Sequence, residues 1–586
     1  MVPAIRRAAI IPLAVALLAS CGGGVGGAPG SGASQALPDP RPLETPRLAR
    51  YGEVLYDGFD GERAMETVRF ADRFFRVRGN VGYQRTIAHV EGALLDAGYD
   101  RGQVRRLELG PEEPTWTPVS ARLELVGEEG PVTLHGFADE TGRDRATLLV
   151  RSDYTPAAEL EVVLATSAED VRGRVVLGRG HPRQLFDEHV VQGGAAGILT
   201  VFLMEVHEES RQPDVAQFGY LPPFDGRPAF GFSISPRSDR LLRAAIEEGW
   251  GRATIRVAID VKVGTSRATT LEATIPGASP GAPAVVLVAH VDEPGAHDNG
   301  SGVAAQLELA RALRAAVDDG ALPPFEAPIV MLWGQEIECP QEWIGLTSRP
   351  VRAALVLDMV GGDPETVGAP FLIERMPDPG AIWLRPPDES QGWGGSPPSP
   401  ESLRGHFLND YFLAAVSLRA SAAPGWEIRS HPFEGGSDHV PFLLRGVPAV
   451  LAWHYPDSAY HTSLDRAERV SGEEMRRVAS SAGATAVGLA SFAEEDRGEM
   501  LAAAEHGAHL RLSQVLAAAR TALGRGGDPE LERRIVRAWV DWYDEALLSV
   551  SDGDEELLRL EVQSARDWLA AAGARLLEQL PAPRPR

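Results

Sequence analysis

Four short stretches, far apart in the chain, carry side chains suited to holding divalent cations. The first is His290-Val291-Asp292, followed closely by Asp298-Asn299-Gly300-Ser301-Gly302; then come Gly334-Gln335-Glu336-Ile337-Glu338, Asp358-Met359 and Tyr460-His461-Thr462. Imidazole and carboxylate together suit Zn²⁺, and one carboxylate with two oxygens can bridge a pair of ions about 3.5–4 Å apart. Convergence of such groups is what a metal site requires. Each stretch alone is a weak signal. A His-X-Asp after a strand is also a capped turn, and Asp358 is also an ordinary buried strand end. The four in this order, with the Asp-Asn-Gly-Ser-Gly segment opening a helix, are far harder to produce by chance.

The elements around these residues explain how they would meet. Each stretch follows an apolar run of strand length, at 284–289, 329–333, 353–357 and 449–453, and helices are expected at 302–317, 404–418 and 472–492. This alternation predicts an α/β fold with a mixed, largely parallel sheet sandwiched by helices. In open α/β sheets ligands bind outside the carboxyl ends of the strands, so four strands deliver His, Asp or Glu to one edge. Upstream, 85–98 has helical spacing ending at Gly98. From 116 to 263 the signal is mainly short β-runs (119–126, 145–150, 174–177, 254–263) with helical pieces at 184–194 and 237–248. Residues 496–580 are amphipathic and helical with a break at 524–529, and Trp539, Trp542, Tyr543 and Trp568 read as core or docking anchors.

The chain has 586 residues, 44% of them apolar and 24% charged, which suits three to four domains with buried cores and excludes a wholly disordered, collagen-like or disulfide-stapled protein. Fifty-seven basic residues against 82 acidic give a net charge of −25, so a phosphate backbone is repelled and no nucleic-acid partner is expected. At the N-terminus, Arg6 and Arg7 precede an apolar run over 8–19. As a helix it reaches about 18 Å, short of a hydrocarbon core of about 30 Å, and it fits a secretory signal instead. Leu18-Ala19-Ser20-Cys21 resembles a bacterial lipobox. That likeness implies acylation of Cys21 and an exported, lipid-anchored protein of the bacterial cell envelope, tethered to its membrane by the Gly/Pro/Ser-rich stretch that follows. Cys339 is then the lone remaining thiol and no intramolecular disulfide is possible.

Taken together, 268–494 resembles the M28 family of co-catalytic zinc aminopeptidases. Ser437-Asp438-His439 and Gly446-Val447-Pro448 add to the likeness, and 51–109 supplies the opening helix of that fold. The resemblance implies two Zn²⁺ per chain and peptide substrates. By position, His290 and Asp358 would hold one zinc, Glu336 and His461 the other, and Asp298 would bridge them. Asp292 would orient His290, and Tyr460 would hydrogen-bond the oxyanion. The family usually has Glu-Glu, base then ligand, where this chain reads Gln335-Glu336 or, one residue on, Glu336-Ile337. If Gln335 fills the base position, a neutral amide cannot take the proton, and the chain becomes a metal-retaining peptide binder of feeble activity. If Glu336 is the base, the second zinc lacks a carboxylate unless Glu338 substitutes. The reading adopted is Glu336 as ligand. A glutaminyl-cyclase-like acyl transfer shares the fold and is a further alternative. The β-rich block resembles a protease-associated domain, through Gly173-Arg174-Val175-Val176-Leu177, Gly193-Gly194-Ala195-Ala196-Gly197-Ile198 and Phe232-Ser233-Ile234-Ser235.

The expected organisation is a signal peptide at 1–20, a linker at 21–50, the first part of the peptidase domain at 51–115, the insert at 116–265, the catalytic domain at 266–495 and a helical extension at 496–586. Other motifs carry less. Gly277-Ala278-Ser279-Pro280-Gly281 has the spacing of a nucleophile elbow, but it sits in a loop before a strand. His506 and His509, three apart on a helix, have no accompanying carboxylate motif and read as a solvated helix surface. His297 and His439 read as structural or pocket-lining, and 364–402, rich in Pro, Gly and Trp, as a lid.

Overall fold

Uninterrupted aliphatic and β-branched runs make the middle of the sheet, because a strand covered on both faces has no polar side to show. The computed structural model describes residues 43–582 apart from 140–141, 167–169, 280, 396 and 552–555. The lipobox and most of the expected linker lie outside the described residues; the last part of that linker is already the helix Pro46–Gly58. The strands are β1 (Val104–Gly127), β2 (Gly130–Phe137), β3 (Thr155–Leu164), β4 (Val175–Arg179), β5 (Gly197–Val201), β6 (Phe230–Ser233), β7 (Arg252–Ile275), β8 (Ala284–His290), β9 (Ile329–Gly334), β10 (Val351–Leu357), β11 (Phe371–Glu374), β12 (Ile428–His431) and β13 (Ala449–His454). All belong to one mixed sheet. β13, β10, β8 and β9 run parallel side by side, with every residue of β8, β9 and β13 buried.

Alternation along β8 splits the core in two. Val286 and Val288 face Cys339, Trp343 and Phe442, while the other side is covered by the helices Gly300–Asp318 and Gly472–Ser491. The helices Pro46–Gly58 and Gly61–Ala71 pack onto that second layer.

β7 is the frame of the molecule. Its C-terminal end pairs antiparallel with β9, its N-terminal half pairs with β3, and β1 runs along its other edge for most of its length. β3, β4, β5 and β6 then continue in parallel. The β-rich block is therefore an extension of the same sheet with a core of its own, and the boundaries expected at 115/116 and 265/266 fall inside β1 and β7. Two local expectations differ. Residues 145–150 form a tight turn over Arg143–Thr147 followed by single bridges from Leu148 and Val150, because the buried Arg145 guanidinium curls back onto the carbonyls of Gly142 and Asp72. The helix expected at 184–194 runs from Pro182–Leu185 into a wider, π-helical turn over Phe186–Gln192.

The tail folds as three helices, Glu494–Gly524, Pro529–Leu548 and Glu556–Glu578, the first two separated at the expected break. It docks through polar pairs: Arg511 binds Asp388, Arg385 binds Glu532, and the Trp542 indole donates to the Pro377 carbonyl at 3.0 Å. His509, expected on a solvated face, is buried and stacked on Trp568. Among the described residues no helix is long and apolar enough to cross a membrane.

Where the tail meets the helix Leu408–Ser421, Asp410 Oδ2 is buried without a hydrogen-bond partner, and burial pushes this carboxyl up to about 7. An acid raised on folding binds an extra proton in the native state, so its penalty is absent below the unfolded pKa and complete above about 7. Asp410→Asn is expected to stabilise the protein at pH 8 by on the order of 1–2 kcal/mol and to leave it unchanged at pH 4, as read by denaturant unfolding at the two pH values.

Candidate metal centre

The chain leaves β8 at His290 and must turn at once to bring Asp298 back to the same edge. Two buried groups hold that loop. The Arg76 guanidinium, fully buried, donates to the carbonyls of Val291, Gly295 and Ala71, and the Asp465 carboxylate accepts the backbone N–H groups of His297 (2.7 Å) and Asp298 (2.9 Å). The approach is so close at Gly295 that a Cβ would lie 2.0 Å from Asp465 Oδ2, so only glycine fits. Asn299 then caps the helix Gly300–Asp318 by accepting from Gly302, and ties its start to the end of β10 through Leu357 and Met359. Glu293, Met359 and His461 all have left-handed backbones, with φ of 76°, 55° and 55°. Such conformations persist in non-glycine residues where the surroundings enforce them, and here they surround one cleft.

Two triads of ligand-type atoms result, each with its atoms within 4.8 Å of one another: His290, Asp298 and Asp358, and Glu293, Asp298 and His461. His290 Nε2 lies 3.1 Å from Asp358 Oδ1 and 3.4 Å from Asp298 Oδ1. His461 Nε2 lies 3.0 Å from Asp298 Oδ2 and 2.6 Å from Glu293 Oε2. Asp298 thus offers one oxygen to each triad, the arrangement of a bridging carboxylate. Asp358 also accepts from the Ser437 hydroxyl at 2.7 Å, and Asp292 lies behind His290, its carboxylate 3.7 Å from Nδ1.

Crowding acids at a buried edge makes the centre cation-seeking. Burial and the neighbouring Asp298 push Glu293 up to about 8. Burial also favours neutral imidazoles at His290 and His461, but the surrounding carboxylates outweigh it and hold both well above their ordinary range. Glu293 Oε2, although close to His461, accepts no hydrogen bond and is a buried polar atom without a partner. Three carboxylates and two imidazoles arranged this way fit two zinc-sized ions.

The sequence-predicted residues sort as follows. His290, Asp298, Asp358 and His461 come together. Glu336, expected as the third carboxylate ligand, is in neither triad; it lines the adjoining cleft, a space of about 50 Å³, and its backbone N–H donates to Asp292. Burial and nearby acids push its carboxyl well up. Gln335 does not line the cleft, and its buried Oε1 has no partner. Glu338 is on the following helix, 3.6 Å from Arg78. Tyr460 lines the cleft, stacked on His461 at 3.8 Å. His297 and His439 are buried against Asp457 and Glu374, as their structural reading required. Glu293 had gone unnoticed. The available signal was its place within a His-Val-Asp-Glu run, with no carboxylate at 337 to complete the second set.

Two further segments close around the cleft. Trp393, from the loop expected as a lid, stands edge-on to Tyr460, and Glu434 accepts the backbone N–H groups of Gln391, Trp393 and Gly394. From the β-rich block, Phe218 N–H donates to the His461 carbonyl at 2.6 Å, Gln212 donates to Ser458, and a ring nitrogen of His207 lies 2.9 Å from the Tyr460 carbonyl.

The family model of Peptidase family M28 matches residues 271–336 and 404–486. The chain is consistent with an M28 peptidase. The two M28 segments contain His290, Glu293, Asp298, Glu336 and His461, with Asp358 between them. The fold resembles that of the Peptidase M28 precursor from Shewanella amazonensis SB2B, with a TM-score of 0.50 and 15% identity over 76% of this chain and 96% of that one. An aminopeptidase from Aneurinibacillus sp. strain AM-1 aligns with 74% of this chain and 95% of its own at 19% identity and a TM-score of 0.45. Among curated proteins, uncharacterized protein YfbL of Escherichia coli (strain K12) is 25% identical over 226 residues, 33% of this chain; the match spans 64% of that relative, under two thirds of its length.

Arg76 was not singled out from the sequence, although it holds both sides of the loop bearing Glu293. Arg76→Ala is expected to lower unfolding free energy by about 3 kcal/mol, since it strands buried carbonyls, and chemical denaturation measures this.

Proposed function

We propose that the protein is an exported, lipid-anchored metallopeptidase that hydrolyses peptide bonds with two zinc ions and releases N-terminal amino acids. The observation that carries the reading is the sharing of Asp298 between two triads at one sheet edge. The M28 match supports peptide-bond hydrolysis, and the motif resemblance to co-catalytic zinc aminopeptidases supports action at the N-terminus.

A pair of divalent cations held by the two triads would supply a lowered water pKa and polarisation of the scissile carbonyl. Glu336 is the general base in this reading: its carboxylate faces the cleft beside both triads, takes a proton from the attacking water and passes it to the leaving nitrogen. Gln335 then has no part in proton transfer, and its amide does not disable the site. The Tyr460 hydroxyl, at the cleft wall, donates to the oxyanion of the tetrahedral intermediate. Asp292 holds the His290 ring from behind and receives the backbone of Glu336, so one carboxylate aligns both a ligand and the base. Trp393 and Trp453 give the cleft an aromatic wall, which favours substrates with apolar side chains.

Glu336→Gln is expected to reduce hydrolysis of leucyl or alanyl anilides by 10²–10⁴-fold, roughly the worth of a positioned base, while Gln335→Glu changes it little. The reverse pattern, with Gln335→Glu raising a feeble wild-type activity, would mark the protein as a binder. Cys21→Ser is expected to abolish labelling by radioactive palmitate and to move the protein from the detergent to the aqueous phase on partitioning.

A further inference from the structure

We infer that Glu293 is the carboxylate ligand paired with His461, replacing in this chain the second glutamate of the Glu-Glu pair usual in M28 peptidases. The inference rests on the two-cation reading above and goes beyond it in assigning the ligand set.

The register decides what is missing. With Glu336 facing the cleft as base, the next residue is Ile337, which has no donor atom in its side chain; its N–H is taken by Asp438 at 2.6 Å. Glu338 is turned away, on a helix and facing Arg78, with its side chain 44% exposed. The β9 loop therefore supplies no second carboxylate. The β8 loop does. Glu293 Oε2 is buried, 2.6 Å from His461 Nε2, and has no hydrogen-bond donor aligned on it, so it is free to turn to an ion shared with that imidazole. Asp298 completes the same set.

The backbone is built to present this side chain. Glu293 has φ 76°, and Arg76 anchors Val291 before it and Gly295 after it. A surface glutamate gains nothing from a fully buried arginine holding its loop from both sides. A ligand does, because a carboxylate must be held in place against the repulsion of Asp298. The short loop between His290 and Asp298 is thus itself a source of a ligand, and moving the carboxylate from one strand end to another leaves the count of donors unchanged.

Zinc titration of the chelator-treated full chain, with bound metal counted by atomic emission, tests this. Wild type is expected to take two ions and Glu336→Gln also two. Glu293→Gln is expected to take one ion tightly and the second at least about tenfold more weakly. Melting of the metal-free proteins guards against misfolding. Glu293→Gln replaces a buried carboxyl crowded by Asp298 with an amide of the same size, so its apo form should melt no lower than wild type, while its zinc-induced rise should shrink. Two ions at wild-type affinity in Glu293→Gln, or a lower apo melting temperature with stoichiometry kept at two, would overturn the assignment. So would loss of an ion in Glu336→Gln in place of Glu293→Gln. Fewer than two ions in wild type would instead remove the two-cation reading on which the assignment stands.

Discussion

One carboxylate, Asp298, governs the architecture of this protein. Its two oxygens face His290 and His461, which come from strands widely separated in the chain, so both must reach one point from fixed directions. Placing Asp298 beside Glu293 and Asp358 without solvent is costly, and the surrounding structure holds the acids there by backbone bonds. Asp465 accepts the backbone N–H groups of His297 and Asp298, Arg76 grips the loop before them, and Asn299 ties the following helix to β10. The parallel strands do the rest, since side-by-side strands of similar length end on one edge.

The β-rich block takes part in the same arrangement. It is joined to the α/β unit by continuous strands, and its segment around 207–218 bonds repeatedly to the backbone of 458–463. That loop carries His461 in a left-handed conformation, which unsupported loop residues rarely keep. The block therefore acts on the second triad through its backbone, positioning His461 without contributing a side chain to the triad. On the opposite wall, Glu434 satisfies successive N–H groups of the Trp393 loop, so this long connection is held as a fixed wall.

The electrostatics of the cluster suit a cation. Neighbouring carboxylates hold the imidazoles well above their ordinary range, and burial beside Asp298 raises Glu293 to about 8, so these groups hold protons more tightly than in water. Divalent ions would displace these protons, which couples metal affinity to pH in the usual direction, stronger as the solution becomes less acidic.

Much of this was legible in the sequence. The apolar runs at β8, β9, β10 and β13 announced buried parallel strands, and the residues just after them announced the edge at which His290, Asp298, Asp358 and His461 gather. Those inferences depend on local periodicity and on the geometry of parallel sheets, both of which are properties of short segments. The sequence alone also carried the register ambiguity at Gln335-Glu336-Ile337, because a one-residue shift cannot be resolved without knowing where each side chain points. Tertiary structure decided that Glu336 faces the cleft, that Glu293 stands beside His461, and that Arg76 and Asp465 hold the loop between them. It also decided that β1 and β7 run unbroken through two expected domain boundaries. These are outcomes of packing between residues hundreds of positions apart, and no local pattern encodes the direction in which a buried side chain will turn.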